Sequence, residues 1–191
     1  ITNCKIMKTD RLETRFRHGS AFFAGLALLL LSVPVVRAAA PVEIHAFPNP
    51  DFLPAGLVQG ANGNFYGTMQ QTGPVGYGAV YQVAPNGGIT VLIEFGGTNG
   101  ADPKSRLTIG TDGNSYGVTL SGGANGFGTV VQLAPSGMLT TLIHFNNANG
   151  ASPFGELVQS TDGNFYGTTQ YGGSGNNGTV YGNVWGAATL V

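Results

Sequence analysis

The stretch Leu57-Val58-Gln59-Gly60-Ala61-Asn62-Gly63-Asn64-Phe65-Tyr66-Gly67 decides the reading of this chain, because it returns as Leu107 to Gly117 and again as Leu157 to Gly167. The lag is 50 residues each time, and about half the positions are identical between neighbouring copies. The match runs on through Gly78-Ala79-Val80, Gly128-Thr129-Val130 and Gly178-Thr179-Val180. Self-similarity at a fixed period of this size marks a repeat architecture, in which each copy is one supersecondary unit buried against its neighbours.

Within a copy the pattern is of strands. Leu139-Thr140-Thr141-Leu142-Ile143-His144-Phe145 puts Leu139, Thr141, Ile143 and Phe145 on one face and Thr140, Leu142 and His144 on the other, the period of two that a pleated strand requires. Ile89 to Phe95 alternates in the same way. Gly128 to Leu133 is β-branched and runs into Pro135-Ser136-Gly137, a turn whose Pro and Gly favour the needed backbone angles. Leu157-Val158-Gln159 and Asn164 to Thr169 flank Thr161-Asp162-Gly163, and Asp-Gly is a strong hairpin signal. Each copy therefore holds four short strands, with glycine-rich links such as Ser121 to Gly126 between the second and third. No segment after the leader has helical periodicity.

Four antiparallel strands per copy of about 50 residues predict an all-β, β-propeller-like chain of tandem blades. A β-solenoid is the alternative, although its coils are usually shorter and lack tight Asp-Gly hairpins. The blades are placed at about 45–94, 95–144 and 145–191, the last incomplete. Val42 to Phe47 resembles a fourth strand supplied from the N-terminal side, as in a propeller that closes by pairing its two ends. Three blades are fewer than the usual four to eight. Two readings remain open: a piece of a longer protein, or a homo-oligomer that completes the ring between chains.

The copies also resemble a known family, the GloVer tandem repeats of secreted bacterial proteins, through Thr161-Asp162-Gly163-Asn164-Phe165-Tyr166-Gly167-Thr168-Thr169 and Gly178-Thr179-Val180-Tyr181. The resemblance covers roughly residues 42 to 181. It implies an extracellular or surface-attached protein, often ending in a sorting anchor. No such anchor is read at this C terminus, which again suggests truncation. The family brings no established catalytic residues, so none is carried over.

Residues 1–38 read as upstream residues plus a signal peptide. A basic stretch from Lys8 to Arg17 precedes an apolar run from Ser20 to Val36 and then Arg37-Ala38-Ala39-Ala40, the layout of a cleaved secretory leader. The mature start is placed near Ala39 or Ala40, with an uncleaved membrane anchor as the competing reading. The expected location is therefore secreted, extracellular or on the cell surface, with no membrane contact after cleavage. Cys4 is the only cysteine and precedes Met7, which leaves a mature chain without thiols.

The remaining 39–191 is the part expected to fold. The chain has 191 residues, of which 42% are hydrophobic, 10% aromatic and only 9% charged, with 32 glycines. This is too apolar and aromatic for disorder. The formal charge of −1 is uneven, since six of the eight basic residues lie in the first 37 positions. Beyond them Lys104 and Arg106 face seven acids, which disfavours a nucleic-acid partner.

Chemistry is hard to find in these residues. There is no nucleophile elbow, zinc motif, phosphate loop or cysteine cluster, so no catalytic residue, metal or cofactor is assigned. Asp112 and Asp162 sit in equivalent turns and lack the carboxylate density of a calcium site. A polysaccharide hydrolase would need a carboxylate pair from Glu94, Asp102, Asp112, Glu156 and Asp162 drawn from different blades. Repetition of Asp112 and Asp162 is better explained by the repeat itself, and no clear break of the symmetry stands out. Tyr66, Tyr116 and Tyr166, with Phe95 and Phe145, are expected to pack between blades. Tyr77, Phe127 and Tyr171 are read as loop aromatics, better placed for ligand contact because loops carry function on a rigid scaffold. The ligand-binding set is therefore Tyr77, Phe127, Tyr171, Asp112 and Asp162. The expected role is a non-enzymatic extracellular binding module with a glycan or cell-surface ligand, against a propeller hydrolase or a purely structural adhesion component.

Overall fold

The computed structural model describes residues 43–44, 46–47, 53–71 and 75–182. All lie in the unit that runs from Pro41 to Val191. The proposed leader, its cleavage site and the C-terminal stretch 183–191 fall outside the described residues.

Three four-stranded sheets follow one another along the chain. The first is an antiparallel meander of β1 (Val58–Gln59), β2 (Phe65–Met69), β3 (Ala79–Val83) and β4 (Ile89–Glu94). The second repeats it with β5 (Thr108–Ile109), β6 (Ser115–Thr119), β7 (Thr129–Leu133) and β8 (Leu139–His144). In the third, β10 (Val158–Gln159), β11 (Phe165–Tyr171) and β12 (Thr179–Tyr181) are joined by β9 (Ala151–Pro153), which pairs with the far half of β11. No helix occurs among the described residues. The architecture is all-β and propeller-like, built from blades that recur every 50 residues.

β9 has no counterpart in the sequence reading. The first strand of the third sheet is broken in two, with Ala151 opposite Tyr171 and Val158 opposite Tyr166 along the same edge of β11. In the second sheet the upper piece shrinks to the bridge between Ala101 and Ser121. The upper piece carries a left-handed residue right after its first residue in both copies, Asp102 at φ 59° and Ser152 at φ 53°.

Apolar residues of adjacent sheets close into two clusters. Val80, Phe95, Leu107, Val131 and Leu133 fill the space between the first and second sheets. Tyr116, Val118, Val130, Phe145, Leu157 and Phe165 fill that between the second and third. Burying this surface against the next copy is the main stabilising term, at roughly 25 cal/mol per Å² of apolar area.

The expected alternation along β8 is only half right. Val130 faces Ile143 and Val131 faces Thr141, so Leu142 is an extra residue, and Leu92 is its copy in β4. A bulge of this kind shifts the side-chain phase by one. Leu139 consequently joins the cluster on one side of the second sheet, whereas Ile143 and Phe145 join the cluster on the other.

Of the stretch Val42 to Phe47 expected as a fourth strand, the described residues Glu43, Ile44, Ala46 and Phe47 lie in no strand. Instead the Phe47 ring packs edge-on against Tyr81, with centroids 5.7 Å apart. That places it on the face of the first sheet that later copies turn toward their predecessor.

Candidate functional site

The meander gives each sheet two chemically different ends. The hairpin end carries the β1–β2 and β3–β4 loops and their copies. The crossover end carries the β2–β3 connections and the links from one sheet to the next.

At the hairpin end, Gly110 donates to the Asn114 carbonyl at 2.8 Å and Gly113 to the Gly110 carbonyl at 2.9 Å, which closes a three-residue loop over Thr111-Asp112-Gly113. Gly113 has φ 81°, and a side chain there would touch nothing within 4 Å, so glycine serves the backbone angle alone. Asp112 Oδ1 accepts the Asn114 N–H at 3.0 Å, and Oδ2 accepts the Asn114 side-chain amide at 2.7 Å and the Tyr116 hydroxyl at 2.6 Å. Asp162 repeats the set with Asn164 and Tyr166. In the first copy Asn62 takes the place, its amide donating to the Tyr66 hydroxyl at 2.8 Å.

Burial acts to raise the Asp112 carboxyl, but the hydrogen bonds from Tyr116 and Asn114 outweigh it and hold the group below its ordinary value. For Asp162 the Asn164 side chain and backbone are the chief cause of the same lowering. Burial first, and then the bond to Asp112, raise Tyr116. A lowered carboxyl is suited to holding a turn and poorly suited to acting as a general acid, which needs a raised one.

At the crossover end the backbone is tied from sheet to sheet. Gly97 and Gly100 bond each other at 3.1 and 3.2 Å, and the Gly97 carbonyl also accepts Gly123 N–H of the next sheet at 2.7 Å. Asn147 and Gly150 repeat this with Gly173. Gly122, at φ 74°, lies so close that a side chain there would sit 2.5 Å from the Gly97 oxygen and 2.7 Å from the Gly100 carbonyl carbon. Asn99 caps its loop by accepting Gly96 N–H at 2.8 Å, and Asn149 does the same for Asn146 at 2.8 Å. His144 Nδ1 accepts Ala124 N–H at 3.0 Å, which requires an unprotonated nitrogen there.

Tyr77 and Phe127 sit on these anchored connections. The Tyr77 carbonyl accepts Asp102 N–H and the Phe127 carbonyl accepts Ser152 N–H, each at 2.9 Å and each from the left-handed residue of the following sheet. The main chain is thus fixed while the rings stay open to solvent, Tyr77 at 42% and Phe127 at 40%. Tyr171 is 56% exposed and lies at the same end, but as the last residue of β11 and not in a loop.

The five residues singled out in the sequence are therefore not one constellation. Tyr77, Phe127 and Tyr171 share the crossover end, whereas Asp112 and Asp162 lie at the hairpin end. Of the acids weighed as hydrolase candidates, Glu156 is paired with Arg106 at 3.0 Å and Asp102 with Lys104 at 3.2 Å. Among the described residues no three His, Cys, Asp or Glu side chains gather as a metal site would need. The anchoring by Asp102 and Ser152 has little signature in the sequence. Only the recurrence of Asn-Gly-Ala-x-Pro at Asn99 to Pro103 and Asn149 to Pro153 hints at them in the sequence.

Blade-like sheets joined by repeated backbone ties, with Tyr77, Phe127 and Tyr171 exposed at the crossover end, define a tandem β-blade protein of the propeller-like class. The chain belongs to the Gloeobacter/Verrucomicrobia repeat family, whose model matches residues 39–184. No curated protein matches it. Among solved structures it is similar to a streptogramin B lyase, at 20% identity and a TM-score of 0.48 over 71% of this chain and 42% of that one. A virginiamycin B lyase from Staphylococcus aureus gives 18% and 0.47 over 72% and 43%. A candidate gluconolactonase gives 16% and 0.43 over 71% and 49%. The chain spans less than half the length of each of these proteins.

Proposed function

We propose that this chain is an extracellular, non-enzymatic binding module whose crossover end meets a glycan or another cell-surface ligand through Tyr77, Phe127 and Tyr171. The carrying observation is the pairing of half-exposed rings with immobilised backbone at Tyr77 and Phe127, two positions one repeat apart. Aromatic rings offer large apolar area at little entropic cost when their main chain is already fixed. The leader-like order of Lys8 to Ala40 supports export. The ion-paired Glu156 and the turn-bound Asp112 and Asp162 weigh against the hydrolase reading.

A glycan-binding screen on the full chain tests the reading. Binding that is lost in the Tyr77→Ala, Phe127→Ala double variant and kept in Asp112→Asn is the expected result. Binding to no glycan or cell-surface preparation would leave the purely structural role, and cleavage of a glycan would restore the hydrolase. Light scattering on the same sample reports whether copies associate to complete a ring.

A further inference from the structure

Residue 115 departs from its copies, being serine where positions 65 and 165 are phenylalanine. Between the second and third sheets the Phe165 ring lies on Tyr116, with centroids 4.1 Å apart and planes tilted by 32°. The same step back, Tyr66 should meet residue 115, and that residue is Ser115. The glycines beneath record the difference. A side chain at Gly110 would meet Asp112 at 2.6 Å, Tyr116 at 2.8 Å and Phe165 at 3.1 Å, whereas at the equivalent Gly60 its nearest atoms belong to Tyr66, at 2.7 Å, and Asn62, at 3.1 Å, with no ring from the next sheet among them. The space is left as a cleft of about 180 Å³ lined by Gly60, Tyr66, Ile109, Ser115, Leu133 and Pro135.

We infer that this cleft is a binding site for a small molecule bearing a single aromatic ring, of the phenol class. The chain itself shows the fit, since a phenyl group occupies the corresponding place one repeat later. The cleft, open on one side and walled partly by Asn62, has room for one ring, since an enclosed apolar cavity of about 150 Å³ already takes up benzene, and offset or tilted stacking on Tyr66 supplies the favourable ring contact. The Ser115 side chain adds one hydroxyl to the wall, matched to a ring that carries a hydroxyl of its own. The site lies at the hairpin end, apart from Tyr77 and Phe127, and does not depend on the glycan reading.

Calorimetric titration of the full chain with phenol tests it. Saturable binding is expected, abolished in Ser115→Phe, which restores the missing ring, and weakened about tenfold in Tyr66→Leu, which removes the stacking partner. Thermal unfolding of Ser115→Phe should show a midpoint at or above that of the parent, confirming that the ring has entered the cleft. Should Ser115→Phe fail to fold, Tyr66→Leu decides alone. Absence of saturable binding, or binding unchanged in the variant that folds, overturns the inference.

Discussion

The Tyr116 hydroxyl donates to Asp112 Oδ2 across 2.6 Å and in turn accepts the Gln132 amide at 2.9 Å. Its ring is meanwhile fully buried against Phe165. One side chain thus ties the hairpin loop, the neighbouring strand and the next sheet together. Tyr166 holds the same position one repeat later, bonded to Asp162 at 3.1 Å, but is 40% exposed. The pair is an internal control for what burial contributes. Tyr116→Ala is expected to cost about 3–5 kcal/mol, the range for emptying a buried aromatic site. Tyr166→Ala should cost far less, because its exposed hydroxyl loses mainly one hydrogen bond. Urea unfolding of the two variants checks the contrast, and equal losses would contradict it.

Acid sensitivity should trace to the same loop. The Asp112 carboxyl titrates below its ordinary value in the folded chain. Its contribution is therefore full above about pH 4, the unfolded value, and is lost as the pH falls through the lower folded one. Asp112→Asn should lower stability at neutral pH, because a neutral amide replaces the carboxylate that accepts both the Asn114 amide and the buried Tyr116 hydroxyl. The same variant should flatten the fall in unfolding midpoint on acidification. A midpoint-against-pH series for both proteins measures this, and an unaltered acid slope would place the sensitivity elsewhere.

How far the fold is legible in the sequence depends on which physical signal carries it. The 50-residue lag, the Pro-x-Gly and Asp-Gly loops and the β-branched runs are local, and they give the sheets and the loops between their strands. The bulges at Leu92 and Leu142 are not local. They exist because Ile143 and Phe145 must reach the third sheet while Leu139 reaches the first, and only packing states that requirement. The candidate site suffers from the same limit. Tyr77 and Phe127 can be named from their glycine-rich surroundings, but nothing in the chain order says that Asp102 and Ser152 pin their carbonyls. Nor does it say that Asp112 and Asp162 point to the other end. The gap left by Ser115 is invisible until Phe165 is seen on Tyr116.

Two glycines with similar backbone angles should respond very differently to a methyl group. Gly113 has φ 81° with open space around it, so Gly113→Ala meets only the left-handed backbone penalty of about 1 kcal/mol. Gly122 has φ 74°, and its methyl would press on backbone atoms of Gly97 and Gly100, which cannot rotate away. Strain and overpacking together make Gly122→Ala cost about 2–5 kcal/mol. Since the clash falls on the tie between the first and second sheets, hydrogen exchange at the Gly97 to Gly100 loop should rise in that variant. Similar losses for the two variants would mean that the tie is looser than the contacts indicate.

Among the described residues the buried Tyr181 hydroxyl meets no hydrogen-bond partner, although its ring is well used, packing edge-on against Phe145 at a centroid distance of 5.0 Å. It stands opposite Gly167, which has no side chain to compete for the space. A buried polar atom left unmatched costs about 1–3 kcal/mol, so Tyr181→Phe should raise stability while keeping the ring contact. Burial also pushes the phenol well above its ordinary value. Tyr181 therefore favours the folded state fully below about pH 10, where the unfolded phenol titrates, and that support fades as the pH rises toward the folded value. Tyr81 is raised by burial in the same way and remains in the variant. The alkaline fall in unfolding midpoint should consequently shrink in Tyr181→Phe without vanishing. A midpoint lower than the parent's at neutral pH would mean that the hydroxyl has a partner after all.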